Sequence, residues 1–97
     1  MTDRYDWDPI KASENLRNHG ISFADAAEAL ADPDGVPVYD QEHSLHEERF
    51  HWIGLSSKGI LLVVFTDRYG DLVCRIISAR RATRKERAVY YEKKRED

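Results

Sequence analysis

The sequence predicts an α+β fold, with two N-terminal helices and one C-terminal helix packed on a three- to four-stranded antiparallel sheet. Three observations carry that reading. The first third holds two capped segments with helical periodicity. The middle alternates like strands and is cut by short polar turns. The last part opens on a capping box and runs on as a charged helix. At 97 residues the chain is one domain, spanning 1–97.

Tyr5-Asp6-Trp7 reads as a short strand or an extended lead-in. Asp8-Pro9 is an N-cap followed by proline at the first helical position, where the missing N–H costs nothing. That helix runs to about Asn18, and His19-Gly20 stops it. Ser22 caps the second helix, with Asp25 at its positive end. Phe23, Ala26, Ala27 and Leu30 line one face of it, and Asp32-Pro33-Asp34-Gly35 ends it.

Val36 to Asp40 is an edge strand, because Pro37 cannot donate in a central one. Gln41 to Glu47 is a polar loop. Three strands then follow as a meander: Glu48 to Ser56, Ile60 to Thr66, and Leu72 to Ala79. The apolar run of the second marks it as central. Thr83-Arg84-Lys85-Glu86 is a capping box for a helix to about Lys94. Ala88, Val89, Tyr90 and Tyr91 supply its contact surface, and the end from Glu92 reads as a frayed tail.

Composition excludes several classes. No apolar run approaches the roughly 20 residues of a membrane span. The start is too polar for a secretion signal. The single cysteine, Cys74, forms no internal disulfide and no cysteine-based zinc site, which points to a reducing, cytoplasmic setting. Aromatics at 10% argue against disorder. The net charge of −3 hides a segregation: residues 1–48 hold twelve acids and three bases, and residues 49–97 hold six acids and twelve bases. A basic C-terminal half keeps nucleic acid open as a ligand. The same segregation also fits two halves that neutralise each other in the fold.

The densest candidate segment is Arg75 to Arg84. Strict alternation sets Leu72, Cys74, Ile76, Ser78 and Arg80 on one side, and Val73, Arg75, Ile77 and Ala79 on the other. A mid-strand arginine either pairs with an acid of the first half or faces an open surface, where its forked donors suit phosphate. Arg49 opens one strand and Arg68 closes the next, which puts both at the same end of the sheet. His51 shares a side with Arg49 and Ile53 and suits proton transfer near a phosphate. His43 and His46 match no strong zinc pattern. Lys11, Asn15 and His19 form one stripe of the first helix, ordinarily its solvent side. Tyr90 and Tyr91 are base-stacking platforms if exposed, and core residues if not.

These residues resemble the BrnT toxins of bacterial type II toxin–antitoxin systems. The likeness rests on Trp7-Asp8-Pro9-Ile10-Lys11, on Asn15 to Phe23 with Ala26, on Glu48-Arg49 with Ile53-Gly54, and on Arg75 to Thr83 with Glu86-Arg87 and Tyr90 or Tyr91. The sequence departs at Asn18, where a basic residue is expected. The resemblance implies a RelE-like fold and a small endoribonuclease that cuts RNA and arrests growth. It implies a BrnA-like antitoxin partner, with operator DNA bound only through the complex, and neither a cofactor nor a membrane. On this basis Arg49, Arg75 and Arg80 are expected to stabilise the phosphate, with Lys11 as an auxiliary cation and His19 as acid or base. Arg68, Arg81, Ser78, His51 and Tyr90 are expected to contact substrate. A binding module without catalysis is the competing expectation.

Overall fold

The computed structural model describes residues 4–40, 49–68 and 73–96. The elements run β1 (Tyr5–Asp6), α1 (Pro9–His19), α2 (Phe23–Leu30), β2 (Val36–Asp40), β3 (Arg49–Ser56), β4 (Gly59–Arg68), β5 (Val73–Arg81) and α3 (Arg84–Glu96). The strands form one sheet in the order β1-β5-β4-β3-β2. Four strands are antiparallel, and β1 joins them as a short parallel edge on β5. The expected antiparallel sheet of three or four strands is therefore a mixed sheet of five. The lead-in pairs because the Cys74 amide donates to the Arg4 carbonyl, which docks Tyr5 and Asp6 beside Cys74 and Arg75.

Local chemistry sets the helix ends as the sequence suggests. The Asp8 side chain accepts from the Ile10 amide, and Gly20 closes α1 in the left-handed region at φ 71°. Ser22 and Asp25 make a reciprocal capping box for α2. Thr83 and Glu86 do the same for α3. One boundary differs. The charged tail from Glu92 stays helical to Glu96.

The core has two parts, one on each face of the sheet. On one face α1 and α2 pack Ile21, Phe23, Ala26, Ala29 and Leu30 against Trp52, Leu61, Val63, Cys74, Ile76 and Ala79. The contact is close at Gly54, where an added Cβ would stand 2.2 Å from the Ala29 carbonyl oxygen. That same carbonyl accepts from the Trp52 indole at 2.7 Å. On the other face α3 covers a smaller cluster of Ile53, Ile60, Leu62, Ala82 and Tyr90.

Of the residues expected to dock α3, only Tyr90 is buried, while Ala88, Val89 and Tyr91 are exposed. A helix with one buried aromatic has little apolar surface to bury. Polar anchors therefore carry much of its docking. The Tyr90 hydroxyl donates to Asp32 at 2.6 Å, and the Arg80 guanidinium grips both oxygens of Glu86 at 2.8 and 3.0 Å.

Both anchoring carboxylates are held below their ordinary pKa. For Asp32, burial acts upward but is outweighed by hydrogen bonds from Tyr90 and from the Leu55 and Asp34 amides. For Glu86, the Arg80 hydrogen bond leads, burial opposes it, and the Thr83 amide adds to the lowering. A carboxyl with a depressed folded pKa stabilises the fold above its unfolded value. That contribution is lost as pH falls through the folded one. The docking of α3 is thus expected to weaken below about pH 4. Amide exchange followed by NMR should show α3 losing protection before β4 as pH is lowered. Simultaneous loss would refute this.

Candidate functional site

The site is built on the face of the sheet that α3 covers only in part. A β-bulge in β5 shapes it. Phe65 pairs with Ile76 and Val64 pairs with Ser78, which leaves Ile77 as the extra residue. The bulge shifts the alternation. Cys74, Ile76 and Ala79 all face α1 and α2, whereas Arg75, Ser78 and Arg80 share the opposite face. Strict alternation had separated Arg75 from Ser78 and Arg80, and the extra residue unites them.

Across the sheet these side chains fall into rows. Thr66 pairs with Arg75, and Arg75 with Asp6. Phe50 pairs with Phe65, so the same register carried one residue further sets Arg49 beside Thr66. Arg49 and Arg75 therefore flank Thr66 from the two neighbouring strands, with Cα atoms roughly 10 Å apart. The next row holds His51, Val64 and Ser78. The row after that holds Ile53, Leu62 and Arg80, beneath α3. The stacked pair of Phe50 and Phe65, 5.6 Å between centroids, fixes the register from the opposite side.

Thr66 is the residue that sequence reasoning missed. It is 1% exposed, and its hydroxyl has no hydrogen-bond partner among the described residues. A buried polar atom left unsatisfied is uncommon, and this one lies between the strands that carry the two arginines. In the sequence Thr66 only ends an apolar run.

The expected cations differ in their commitments. Arg75 lies 3.3 Å from an Asp6 oxygen, and about a third of its side chain is exposed. That Asp6 oxygen is buried and makes no hydrogen bond among the described residues, so the contact is an ion pair of poor geometry. Arg80 spends both terminal nitrogens on Glu86 and sits two rows away from Arg75. Arg80 is thus an anchor of α3, and the structure separates it from the Arg49–Arg75 row. The backbone of Arg68 pairs with Val73 at the same sheet end as Arg49, while its side chain lies outside the described residues. His43, His46 and Glu48 lie outside them as well.

Tyr90 offers no ring face to a base, because it is 1% exposed and bonded to Asp32. Burial and the Asp32 carboxylate also hold its phenol well above the ordinary value. Cys74 is buried, and burial with Asp67 and Asp6 pushes its thiol up to about 12, which removes it as a nucleophile.

The Lys11–Asn15–His19 stripe does not face solvent throughout. β1 covers β5 only at Cys74 and Arg75, so the strand edge beyond needs another partner. Asn15 is that partner. Its amide nitrogen donates to the carbonyls of Ala79 and Ile21 at 2.8 and 2.9 Å, and its oxygen accepts from the Ala79 amide at 3.1 Å. Lys11 and His19 stay exposed on either side of it, along a shallow groove of about 210 Å³ that also includes Ser78. Glu14 and Asn18 line the same groove, so its charge is mixed. The Arg81 guanidinium lies near Gly20, 3.9 Å from where a Cβ would stand, at the negative end of α1.

The family model described as the BrnT ribonuclease toxin of type II toxin–antitoxin systems matches residues 7–86. That span contains Arg49, Thr66, Arg75 and the Asn15 clamp, and it ends before Tyr90. No curated protein sequence gives a significant match.

Asn15→Ala should cost about 1–3 kcal/mol of folding stability, because it strands buried backbone groups of Ala79 and Ile21. Lys11→Ala and His19→Ala, at exposed positions, should stay within about 0.5 kcal/mol of the parent. Urea denaturation measures all three, and an Asn15→Ala protein as stable as the parent would remove the clamp.

Proposed function

The chain belongs to the BrnT family of ribonuclease toxins, and we propose that it cuts RNA at the row formed by Arg49, Thr66 and Arg75. The observation that supports this most is the pairing that puts two guanidinium groups on one rigid face around an unsatisfied buried hydroxyl. The reaction is attack of a ribose 2′-OH on its own 3′-phosphate. A 2′,3′-cyclic phosphate forms and the 5′-oxygen leaves. Neither a metal nor a cofactor takes part.

Each residue has a physical role. Arg49 and Arg75 stabilise the extra negative charge on the phosphate oxygens, because guanidinium donors are forked and always charged. They do not take protons. His51 lies one row from Thr66 on the same face, and it carries the proton between the 2′-OH and the leaving oxygen. Thr66, buried between their strands, spaces the two arginines. Lys11, His19, Ser78 and Arg81 border β5 and contact the flanking nucleotides. His19, expected from sequence as the acid or base, belongs to this outer set because the β5 edge separates it from the row. Arg80 acts through α3. The toxin is silenced by a BrnA-like antitoxin in the cytoplasm, and operator DNA is contacted only by the pair.

One observation favours a second reading, a binding module without catalysis. Arg75 and Arg80 both meet carboxylates within the chain. Such a protein would retain RNA and leave it whole.

Purified protein with RNA and EDTA should yield fragments ending in 2′,3′-cyclic phosphate, and a 2′-deoxy substitution at the cut should stop cleavage. Retained but intact RNA would decide for the module. Arg49→Ala and Arg75→Ala should each lower kcat by roughly 10²–10³. Arg80→Ala should lower stability and leave kcat within a fewfold. Thr66→Val should leave kcat within a fewfold and not lower stability, since it deletes an unsatisfied buried hydroxyl. Unchanged cleavage by Arg75→Ala would move the reaction off this row.

A further inference from the structure

Beside the proposed cutting row lies a second cleft that shares only His51 with the phosphate chemistry. It opens between the sheet and the first turns of α3. Val38, His51, Ile53 and Leu62 form its floor, and Val89 with Glu86 form its wall. Its volume is about 310 Å³. That is the lower end of the range, roughly 300–1,000 Å³, in which small-molecule sites fall.

Its surface is mostly apolar, yet Val38 and Val89 remain 42% and 43% exposed. Apolar side chains lining an open cleft from two different elements leave surface that an occupant would remove from water. Polar groups stand at its rim. Lys85 is exposed there, and Thr83 and Glu86 border it through the α3 capping box.

We propose that this cleft is a nucleobase subsite, taking the base next to the phosphate bound at Arg49, Thr66 and Arg75. The inference rests on the function proposed above and adds the part of the RNA that is read. Two observations choose this occupant. The first is continuity. His51 lines the cleft, and it lies two residues along β3 from Arg49, a step of roughly 7 Å. A base attached to the bound phosphate reaches that far. The second is size. The cleft suits one planar ring, whereas a stable protein partner needs on the order of 1,000 Å² of buried surface.

The chemistry also fits. Single-stranded RNA is recognised by splaying its bases into apolar settings and bonding their edges with a few polar groups. Here the ring packs between Val89 and the Ile53–Leu62 floor. Its edge meets Lys85 as a donor and, as an acceptor, the one Glu86 Oε2 lone pair that Arg80 and Thr83 leave over. A fixed donor and acceptor discriminate among bases, so the cleft sets a preference for the nucleotide beside the cut.

The test uses the whole chain with labelled methyl groups. Titration with the four nucleoside 3′-monophosphates should shift the Val38, Leu62 and Val89 methyls, with affinities that differ at least threefold among the bases. Ribose 5-phosphate, which lacks a base, should leave these methyls in place. Val89→Trp fills the cleft from an exposed position, and it should weaken mononucleotide binding at least tenfold. Silent methyls, or equal shifts with ribose 5-phosphate, would overturn the subsite. So would silent methyls together with a Val89→Trp protein that escapes its antitoxin, which would make the cleft a protein-docking site. RNA cleavage is scored separately. Base-dependent shifts without cleavage uphold the cleft and refute the ribonuclease reading, whereas cleavage with silent methyls refutes the cleft alone.

Discussion

The extra residue in β5 determines which side chains of this protein meet. With Ile77 set aside from the pairing, Ser78 and Arg80 change sides and join Arg75 on the face opposite α1 and α2. Ala79 changes sides too, and it enters the core that Ile76 already occupies. The bulge thus does two things at once. It continues the apolar face past Ile76, and it gathers polar side chains on the other face. The Asn15 amide fixes this shifted phase by bonding both backbone groups of Ala79, two residues beyond the bulge. Its third bond, to the Ile21 carbonyl, ties the start of α2 to the same point. One buried side chain therefore couples the packing of two helices to the register of the strand that carries Arg75.

The two faces of the sheet differ because the helices differ. α2 carries an apolar stripe wide enough to bury four of its eight residues. α3 buries Tyr90 alone among thirteen. A helix so polar covers only part of a sheet face, and the rest stays open at Arg49, His51 and Arg75. The charge segregation of the chain works within this arrangement. Acids of the first half meet cations of the second, as Asp6 meets Arg75.

The sequence made the local structure readable where local chemistry decides it. The Asp8, Ser22 and Thr83 caps, the Gly20 stop, and the edge position of Pro37 all follow from side chains within a few residues. What stayed hidden depends on partners distant in sequence. Asn15 looked like one of three solvent-facing residues, because the bare edge of β5 is invisible until β1 is seen to stop at Asp6. Strict alternation puts Arg75 and Arg80 on opposite sides, because a one-residue insertion in the pairing leaves no trace in apolar periodicity. Thr66 gives no sign in the sequence, because only the paired strands show that its hydroxyl lacks a partner among the described residues. Tyr90 reads from sequence as either core or platform, and its bond to Asp32 places it in the core.

The carboxylate contacts of Arg75 and Arg80 carry different meanings. Arg80 makes two well-formed bonds to Glu86, and that glutamate also caps α3. Exchanging it for a phosphate would dismantle the helix start, so Arg80 is structurally committed. Arg75 makes one contact at 3.3 Å to an oxygen outside hydrogen-bond geometry, at a part-exposed site where such pairs contribute little. A phosphate arriving between Arg49 and Arg75 would replace a poor partner with a better one, and the part-exposed Asp6 side chain would turn to water. Until then the Asp6 carboxylate holds the guanidinium near the row. Preorganisation of this kind reduces the reorganisation needed when charge builds on the phosphate. An acid beside a cation therefore argues against a binding role only when its geometry is good enough to resist exchange, and by that criterion Arg75 belongs to the site while Arg80 belongs to the fold.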